Sequence, residues 1–311
     1  MQWKGVIPAI STCFDKSYCV DHDSMTRHCR WLLDQGCTGI VALGTLGEGA
    51  TLTFDEKLQV LRTCVRSAEG RAPVVAGISA LSTTAAVELA VAAVDLGCDG
   101  LMVLPPYVYK GDWREMKAHV AAVFKAVPVP CMLYNNPVAY GTDFLPLHIQ
   151  ELAGEHQNLH AVKESSMDAR RVSAIRALVG SRLEVSVGVD DAVLEAVGVG
   201  ASGWVSGLAN ALPKESVNLL NLALNGEREK AFELYRWFLP LLRMDTVPKF
   251  VQLIKLVQSE VGMGNSRVRP PLLELAGSEL EEARSTIKDV LRNRAGKDGE
   301  SLSRVAHLPN S

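Results

Sequence analysis

Eight short apolar, β-branched runs recur along this chain, and nearly every one is followed by an amphipathic segment of helical period. The runs lie at 5–12, 39–45, 73–78, 100–106, 130–136, 159–165, 183–190 and 201–207. Helical stretches fall between them at 22–36, 53–68, 82–96, 112–126, 146–153, 168–179 and 190–198, with N-cap candidates at Asp21, Thr53, Ser82 and Asp112. Strand, helix, strand in this rhythm means parallel pairing. The runs are similar in length and none reads as a polar edge, so the expected class is α/β, a closed (β/α)8 barrel. An open doubly wound sheet is the alternative.

After residue 207 the strand pattern stops, and helices are expected near 213–225, 227–243, 246–262 and 278–294. The barrel is therefore assigned to 1–212, its last helix extending to about 225 on one reading. A C-terminal helical extension follows at 213–294, and the polar tail 295–311 reads as disordered. Ala231, Leu234, Tyr235, Phe238, Leu241 and Leu242 recur at helical spacing, as a packing face or a subunit interface. Gly198-Val-Gly200-Ala-Ser-Gly203 matches G-x-G-x-x-G, but it precedes a strand instead of following one. It reads as a helix-to-strand turn, not a dinucleotide site.

Composition excludes several classes. The net charge of −3, with Lys and Arg scattered, gives no basic face for nucleic acid. No run reaches the roughly 18 apolar residues of a membrane span, and no signal-peptide pattern opens the chain, so a cytoplasmic protein without nucleic-acid or membrane partners is expected. Seven cysteines without a Cys-x-x-Cys pair argue against a disulfide framework and a zinc ribbon. Seven histidines without ligand spacing leave no candidate metal site.

Lys163 interrupts an apolar run, Leu159-His-Ala-Val-Lys163-Glu-Ser-Ser166. Buried lysines are rare unless they have a partner or a task. Two readings fit the octapeptide: an amine that attacks a carbonyl to form a Schiff base, or a side chain that snorkels to solvent where the strand ends. In a barrel, the C-terminal strand ends share one mouth. Strand two ends in Gly44-Thr45-Leu46-Gly47-Glu48-Gly49, strand four in Leu104-Pro-Pro-Tyr107, strand five in Tyr134-Asn-Asn-Pro137, and strand six carries Lys163. A glycine-rich turn exposes N–H groups to a carboxylate, and Thr and Tyr hydroxyls can move protons to and from an amine.

In the order and separation of these motifs, from about residue 4 to 290, the chain resembles the dihydrodipicolinate synthase and N-acetylneuraminate lyase family of lysine-dependent aldolases and dehydratases. The resemblance implies a TIM barrel with a C-terminal helical extension, a homotetramer built as a dimer of dimers, a 2-oxo acid substrate and no cofactor beyond the lysine imine. Carried onto this sequence, Lys163 is the imine-forming nucleophile and Tyr134 the general acid/base. Thr45 relays the proton, and Tyr107 completes a hydroxyl chain by reaching across a tight dimer interface. Gly44 and the N–H groups of Thr45 and Leu46 hold the substrate carboxylate, while Gly188, Val205 and Ser206 line the pocket floor. Asp190 and Asp191 are read as caps of the following helix.

Two departures bear on the reaction. Leu46 stands where the synthase turn carries a second hydroxyl residue, and Pro137-Val-Ala139-Tyr140 lacks the arginine that synthases place after this turn. Without that guanidinium a second substrate's carboxylate loses a charged hydrogen bond worth about 1.5–3 kcal/mol. The stretch Tyr134-Asn-Asn-Pro-Val-Ala-Tyr140-Gly, with Tyr235-Arg-Trp-Phe238 and Val268-Arg-Pro-Pro271, is similar to the branch of 1-pyrroline-4-hydroxy-2-carboxylate deaminases and also to 2-keto-3-deoxy sugar acid dehydratases. The expected function is a lyase that dehydrates or deaminates a small 2-oxo acid or cyclic imino acid. The alternatives are a pyruvate-dependent aldolase, 4-hydroxy-tetrahydrodipicolinate synthase, and a catalytically silent 2-oxo acid-binding barrel.

Overall fold

Backbone pairing decides between the closed barrel and the open sheet. The computed structural model describes residues 1–106 and 108–293. Its eight strands are Gly5–Pro8 (β1), Ile40–Ala42 (β2), Val74–Ile78 (β3), Gly100–Val103 (β4), Cys131–Asn135 (β5), Leu159–Glu164 (β6), Glu184–Val187 (β7) and Gly203–Ser206 (β8). Every ladder is parallel, in the order β1-β8-β7-β6-β5-β4-β3-β2. A parallel bridge between Ala9 and Val41, with the Ile10 N–H donating to the Val41 carbonyl at 2.8 Å, joins the first and last of these strands and closes the ring. The TIM barrel is therefore formed, and the open sheet is excluded.

Each strand is shorter than its apolar run because the rim residues leave the ladder for loops. The run at 39–45 stops at Ala42 because Leu43 turns into the left-handed region, with φ 65°. Between β1 and β7, seven helices return the chain from one strand to the next: His22–Asp34 (α1), Phe54–Ala68 (α2), Thr83–Asp95 (α3), Trp113–Ala126 (α4), the single turn Pro137–Tyr140 (α5), Pro146–Glu155 (α6) and Arg170–Val179 (α7). Asp21, Thr53, Ser82 and Asp112 cap α1 to α4 as expected, each side chain accepting a first-turn backbone N–H. Thr53 and Asp112 also form capping boxes with Glu56 and Glu115.

Val193–Gly198 (α8) leads through the glycine-rich turn into β8, which is the helix-to-strand role read for that motif. Pro213–Leu224 (α9) packs on β1 and α8, and Arg228–Leu242 (α10) packs on α9. Phe250–Glu260 (α11) and Gly277–Arg292 (α12) complete the described chain. In α10, Ala231, Tyr235, Phe238, Leu241 and Leu242 are buried and Leu234 is half-buried, so this stripe is packing surface. The expected helix at 246–262 starts only at Phe250, because Pro248 biases the residue before it away from the helical region. Residues 243–249 instead run across the barrel mouth.

Largely apolar strands follow from burial on both faces. Inward, Ile7, Val41, Val75, Met102, Met132 and Ala161 fill the barrel, while the outward residues pack beneath the helices. Among the described residues no helix is long and apolar enough to cross a membrane. Tyr107 and the tail 295–311 lie outside the described residues.

Candidate active site

Register sets the centre of the site. β5 and β6 pair with Tyr134 opposite Lys163 and Asn135 opposite Glu164, so alternation along the strands sends the first pair to one face and the second to the other. Lys163 is buried, and its Nζ lies 4.2 Å from the centroid of the Tyr134 ring. Among the described residues it forms no ion pair, and its amine opens onto a cavity of about 400 Å³. Behind it, Asn135 Nδ2 donates to Glu164 Oε2 at 3.1 Å, and Asn135 Oδ1 accepts the Phe144 N–H at 2.9 Å. Burial pushes the Glu164 carboxyl up, while the Ser166 N–H, at 2.7 Å, favours its ionised form. Asn135 and Glu164 thus clamp the strand ends that present Tyr134 and Lys163.

Gly188 makes room for the lysine. A Cβ at this position would lie 2.1 Å from Ser165 Oγ and 2.4 Å from Lys163 Cε. Ser186, opposite Lys163 on β7, and Ser165, two residues after it, are buried, and their hydroxyls have no hydrogen-bond partner among the described residues. Ser165 lines the cavity, where a bound substrate could satisfy its hydroxyl.

The turn after β2 forms another wall. Leu43 and Glu48 both hold positive φ, 65° and 51°, a strained conformation for non-glycine residues. Between them Gly44, Thr45 and Leu46 line the cavity. The N–H groups of Thr45 and Leu46 donate to no described residue. The Thr45 hydroxyl meets the hydroxyl of Tyr140 on α5, and the Tyr140 ring packs edge-on against Tyr134 with centroids 5.7 Å apart. Tyr134 Oη accepts from Asn136 Nδ2 at 3.0 Å. Three residues with hydroxyls therefore line the cavity that Lys163 also lines. The role expected of Tyr107 concerns a residue outside the described part of the chain.

Val205 lines the cavity beneath Lys163, but Ser206 does not. Ser206 is buried below, donating to Asp190 Oδ2 at 3.2 Å and accepting the Ala209 N–H at 3.0 Å. The alternation that turns Val205 inward turns Ser206 outward, which corrects its assignment to the pocket floor. The capping role read for Asp190 and Asp191 is also not what forms, since no side chain caps α8. Asp190 is fully buried and accepts from Trp204 Nε1, Ser206 Oγ and the N–H groups of Gly207 and Leu208, at 2.6–3.2 Å. Burial pushes its carboxyl up to about 6 against the pull of these donors. The Asp191 carbonyl accepts the Tyr235 hydroxyl at 2.5 Å, and its carboxylate lies 3.9 Å from Arg243 Nε.

Sequence reasoning missed the roof of the cavity. Asp245, Thr246, Val247 and Pro248, from the segment between α10 and α11, line it together with Phe250. Nothing in the local pattern marks them, because a chain crossing over a barrel mouth has no periodicity of its own. Tyr140 and Asn136 lie within the quoted strand-five motif, and only the turn at α5 shows that they face the cavity.

Comparisons with known proteins bear on the family and the fold. Residues 2–290 match the model of the dihydrodipicolinate synthetase family. The chain is 33% identical over 291 residues to 4-hydroxy-tetrahydrodipicolinate synthase of Methanocaldococcus jannaschii, covering 94% of this chain and 98% of that protein. It is 34% identical to the enzyme of the same name from Agrobacterium fabrum, covering 94% and 99%. Among solved structures, the chloride-inhibited dihydrodipicolinate synthase of Acinetobacter baumannii in complex with pyruvate superposes with a TM-score of 0.89, at 32% identity over 93% of this chain and 99% of that one. A lysine-bearing barrel mouth, the same fold and a match over nearly the whole length lead to one conclusion: the chain belongs to the dihydrodipicolinate synthetase family and is a Schiff-base enzyme of its lyase class.

Proposed function

We propose that Lys163 forms an imine with a small 2-oxo acid or cyclic imino acid and that the enzyme uses it to eliminate from, or cleave, that one molecule. One observation carries this reading. Among the described residues that line the cavity, Lys163 is the only cation. The rest of the wall is largely apolar, including Leu46, Val138, Ala139, Val189, Val247 and Phe250. Thr45 and Leu46, whose N–H groups donate to no described residue, can offer them to one carboxylate, and among the described residues lining the cavity no guanidinium is present for the carboxylate of a second substrate.

In this reading the Lys163 amine adds to C2, water leaves from a 2-oxo acid or the ring nitrogen leaves C2 of a cyclic imino acid, and the resulting iminium acidifies C3 by accepting the C3–H electron pair. A hydroxyl of the Thr45, Tyr140 and Tyr134 group removes a proton from C3 and yields an enamine. The names of the relatives support a second reading, in which the enamine adds to a second molecule. Sodium borohydride with pyruvate should fix a reduced adduct on Lys163 and none on Lys163→Ala under either reading.

A panel of 2-oxo acids and Δ1-pyrroline carboxylates, followed for ammonia, pyruvate and unsaturated products, separates the two. Ammonia release or dehydration supports elimination. Turnover only when pyruvate is paired with an aldehyde acid sinks it. A homo-oligomer with Tyr107 completing the hydroxyl chain belongs to the same proposal, supported by the exposure of the neighbouring Val108 and Tyr109, at 71% and 76%. Activity lost on dilution and regained on concentration is the expected sign.

A further inference from the structure

Asp245 is the only acidic side chain among the described residues lining the cavity, and it enters from outside the barrel strands. Its position is set by close approach to β8. A Cβ on Gly207 would lie 2.0 Å from Asp245 Oδ1 and 3.2 Å from Oδ2, so the carboxyl rests directly on the Gly207 backbone. No described residue donates a hydrogen bond to it, whereas its neighbour Asp190 takes four donors. A half-buried carboxyl left without donors, facing the cavity that holds Lys163, is placed to meet a substrate.

The charged groups around it fix the chemistry such a contact can have. Asp190 and Asp191 lie behind it on the stretch after β7, and Lys163 lies across the cavity. Burial and the two neighbouring carboxylates push the Asp245 carboxyl well above the usual carboxylate range, against the opposing pull of Lys163. A protonated carboxyl beside a substrate hydroxyl donates to it and makes it a leaving group. An ionised one would take the hydroxyl proton and start cleavage of the C3–C4 bond.

We infer that Asp245 is the general acid that protonates the departing C4 hydroxyl of a 4-hydroxy-2-oxo acid held as an imine on Lys163. This rests on the elimination reading of the site. In the balanced step, a proton leaves C3, the C–H pair becomes the C2=C3 bond, and the C=N pair moves to nitrogen. The nitrogen pair then restores C=N, the C2=C3 pair becomes C3=C4, and the C4–O bond breaks with its pair on oxygen. Asp245 supplies the proton that turns this oxygen into water. Hydrolysis of the iminium frees a 3,4-unsaturated 2-oxo acid and the Lys163 amine, and the proton taken from C3 returns to the Asp245 carboxylate. The net change is loss of one water.

The test uses the full chain with 4-hydroxy-2-oxopentanoate, measuring the unsaturated acid against pyruvate plus acetaldehyde. Borohydride trapping and deuterium exchange at C3 of pyruvate run in parallel, since pyruvate has no C4 hydroxyl. In Asp245→Asn and Asp245→Ala, elimination should fall by about 100-fold or more, while trapping and exchange stay within about threefold of the parent. Added formic or acetic acid should restore part of the Asp245→Ala rate. Elimination within threefold of the parent in either variant overturns the role of Asp245 and leaves the elimination reading intact. Loss of exchange in step with elimination in both variants also overturns it, by showing a structural role. A parent enzyme that exchanges C3 protons yet never eliminates overturns both.

Discussion

Lys255 Nζ on α11 donates to Glu48 Oε1 at 2.5 Å, and both side chains are almost fully buried. The pair fastens the strained turn after β2 to the helical extension, 207 residues further along the chain. Glu48 Oε2 also accepts the Arg269 N–H at 2.7 Å, and Lys255 donates to the Arg267 carbonyl at 2.5 Å. Arg269 forms a bidentate pair with Glu56 on α2, and Lys255 and Arg269 both sit over the Phe14 ring. This explains why the Gly-Thr-Leu-Gly-Glu turn ends in glutamate and why Val268-Arg-Pro-Pro271 belongs with it.

Removing one member of this pair strands the other charge in the interior. Lys255→Met should destabilise the protein by about 3–5 kcal/mol, and the double variant Glu48→Gln/Lys255→Met should recover most of that loss. Thermal unfolding of the three proteins checks it. A double variant no more stable than Lys255→Met would show that the charges are not coupled.

Gly188→Ala puts a methyl group where Lys163 Cε and Ser165 Oγ already lie, at 2.4 and 2.1 Å. The lysine has to swing away, and displacement of a reacting group by about 1 Å costs on the order of 100-fold in rate. Borohydride trapping should fall by that factor, with a fold still intact by circular dichroism. Trapping at the parent rate would mean that the lysine reaches its substrate by another path.

Thr45 and Tyr140 share one hydrogen bond, so each hydroxyl is useful only with the other in place. Thr45→Val and Tyr140→Phe should each slow C3 deuterium exchange by roughly 10- to 100-fold, and the double variant should be little worse than the poorer single one. Fully multiplicative losses would separate the two residues.

His28 gives a pH prediction. Its Nε2–H donates to the Asn210 carbonyl at 2.9 Å, and Nδ1 faces the Gln258 Nε2 donor at 3.3 Å, so the partners accommodate only the neutral ring. Burial pulls its pKa down from 6.5 to about 4. Between these values the unfolded chain binds the proton and the folded one does not, so this contribution is complete above pH 6.5 and is lost as pH falls through 4. Relative to His28→Gln, the protein should lose about 3 kcal/mol between pH 7 and pH 4. Asp190, raised to about 6, works in the opposite sense, gaining stability as pH falls from 6 toward 3.8. The difference between the two proteins, measured by urea unfolding at each pH, isolates the histidine. A difference constant with pH would show that His28 charges in the folded state.

Much of the fold was legible because its signals are local. Apolar runs with helical periods between them need only the next few residues to be read, and Asp21, Thr53, Ser82 and Asp112 each cap the helix that follows directly. That Lys163, Tyr134 and Thr45 share one cavity was legible for a related reason, since each sits at the end of a recognisable strand and a barrel brings strand ends to one mouth. Ser206 failed on the one property those arguments left out, because a single step along a strand exchanges the pocket for the space beneath the helices.

The sequence by itself determined the order of elements, the class of fold and the place of Lys163 at a strand end that opens on the barrel mouth. The tertiary structure alone decided that β1 meets β2 through Ala9 and Val41, that Tyr140 meets Thr45, that Lys255 reaches Glu48, and that Asp245 faces the cavity of Lys163. These are contacts between parts of the chain far apart in sequence. No periodicity or cap encodes them, and they form only when packing has closed the ring and laid the helical extension against its mouth.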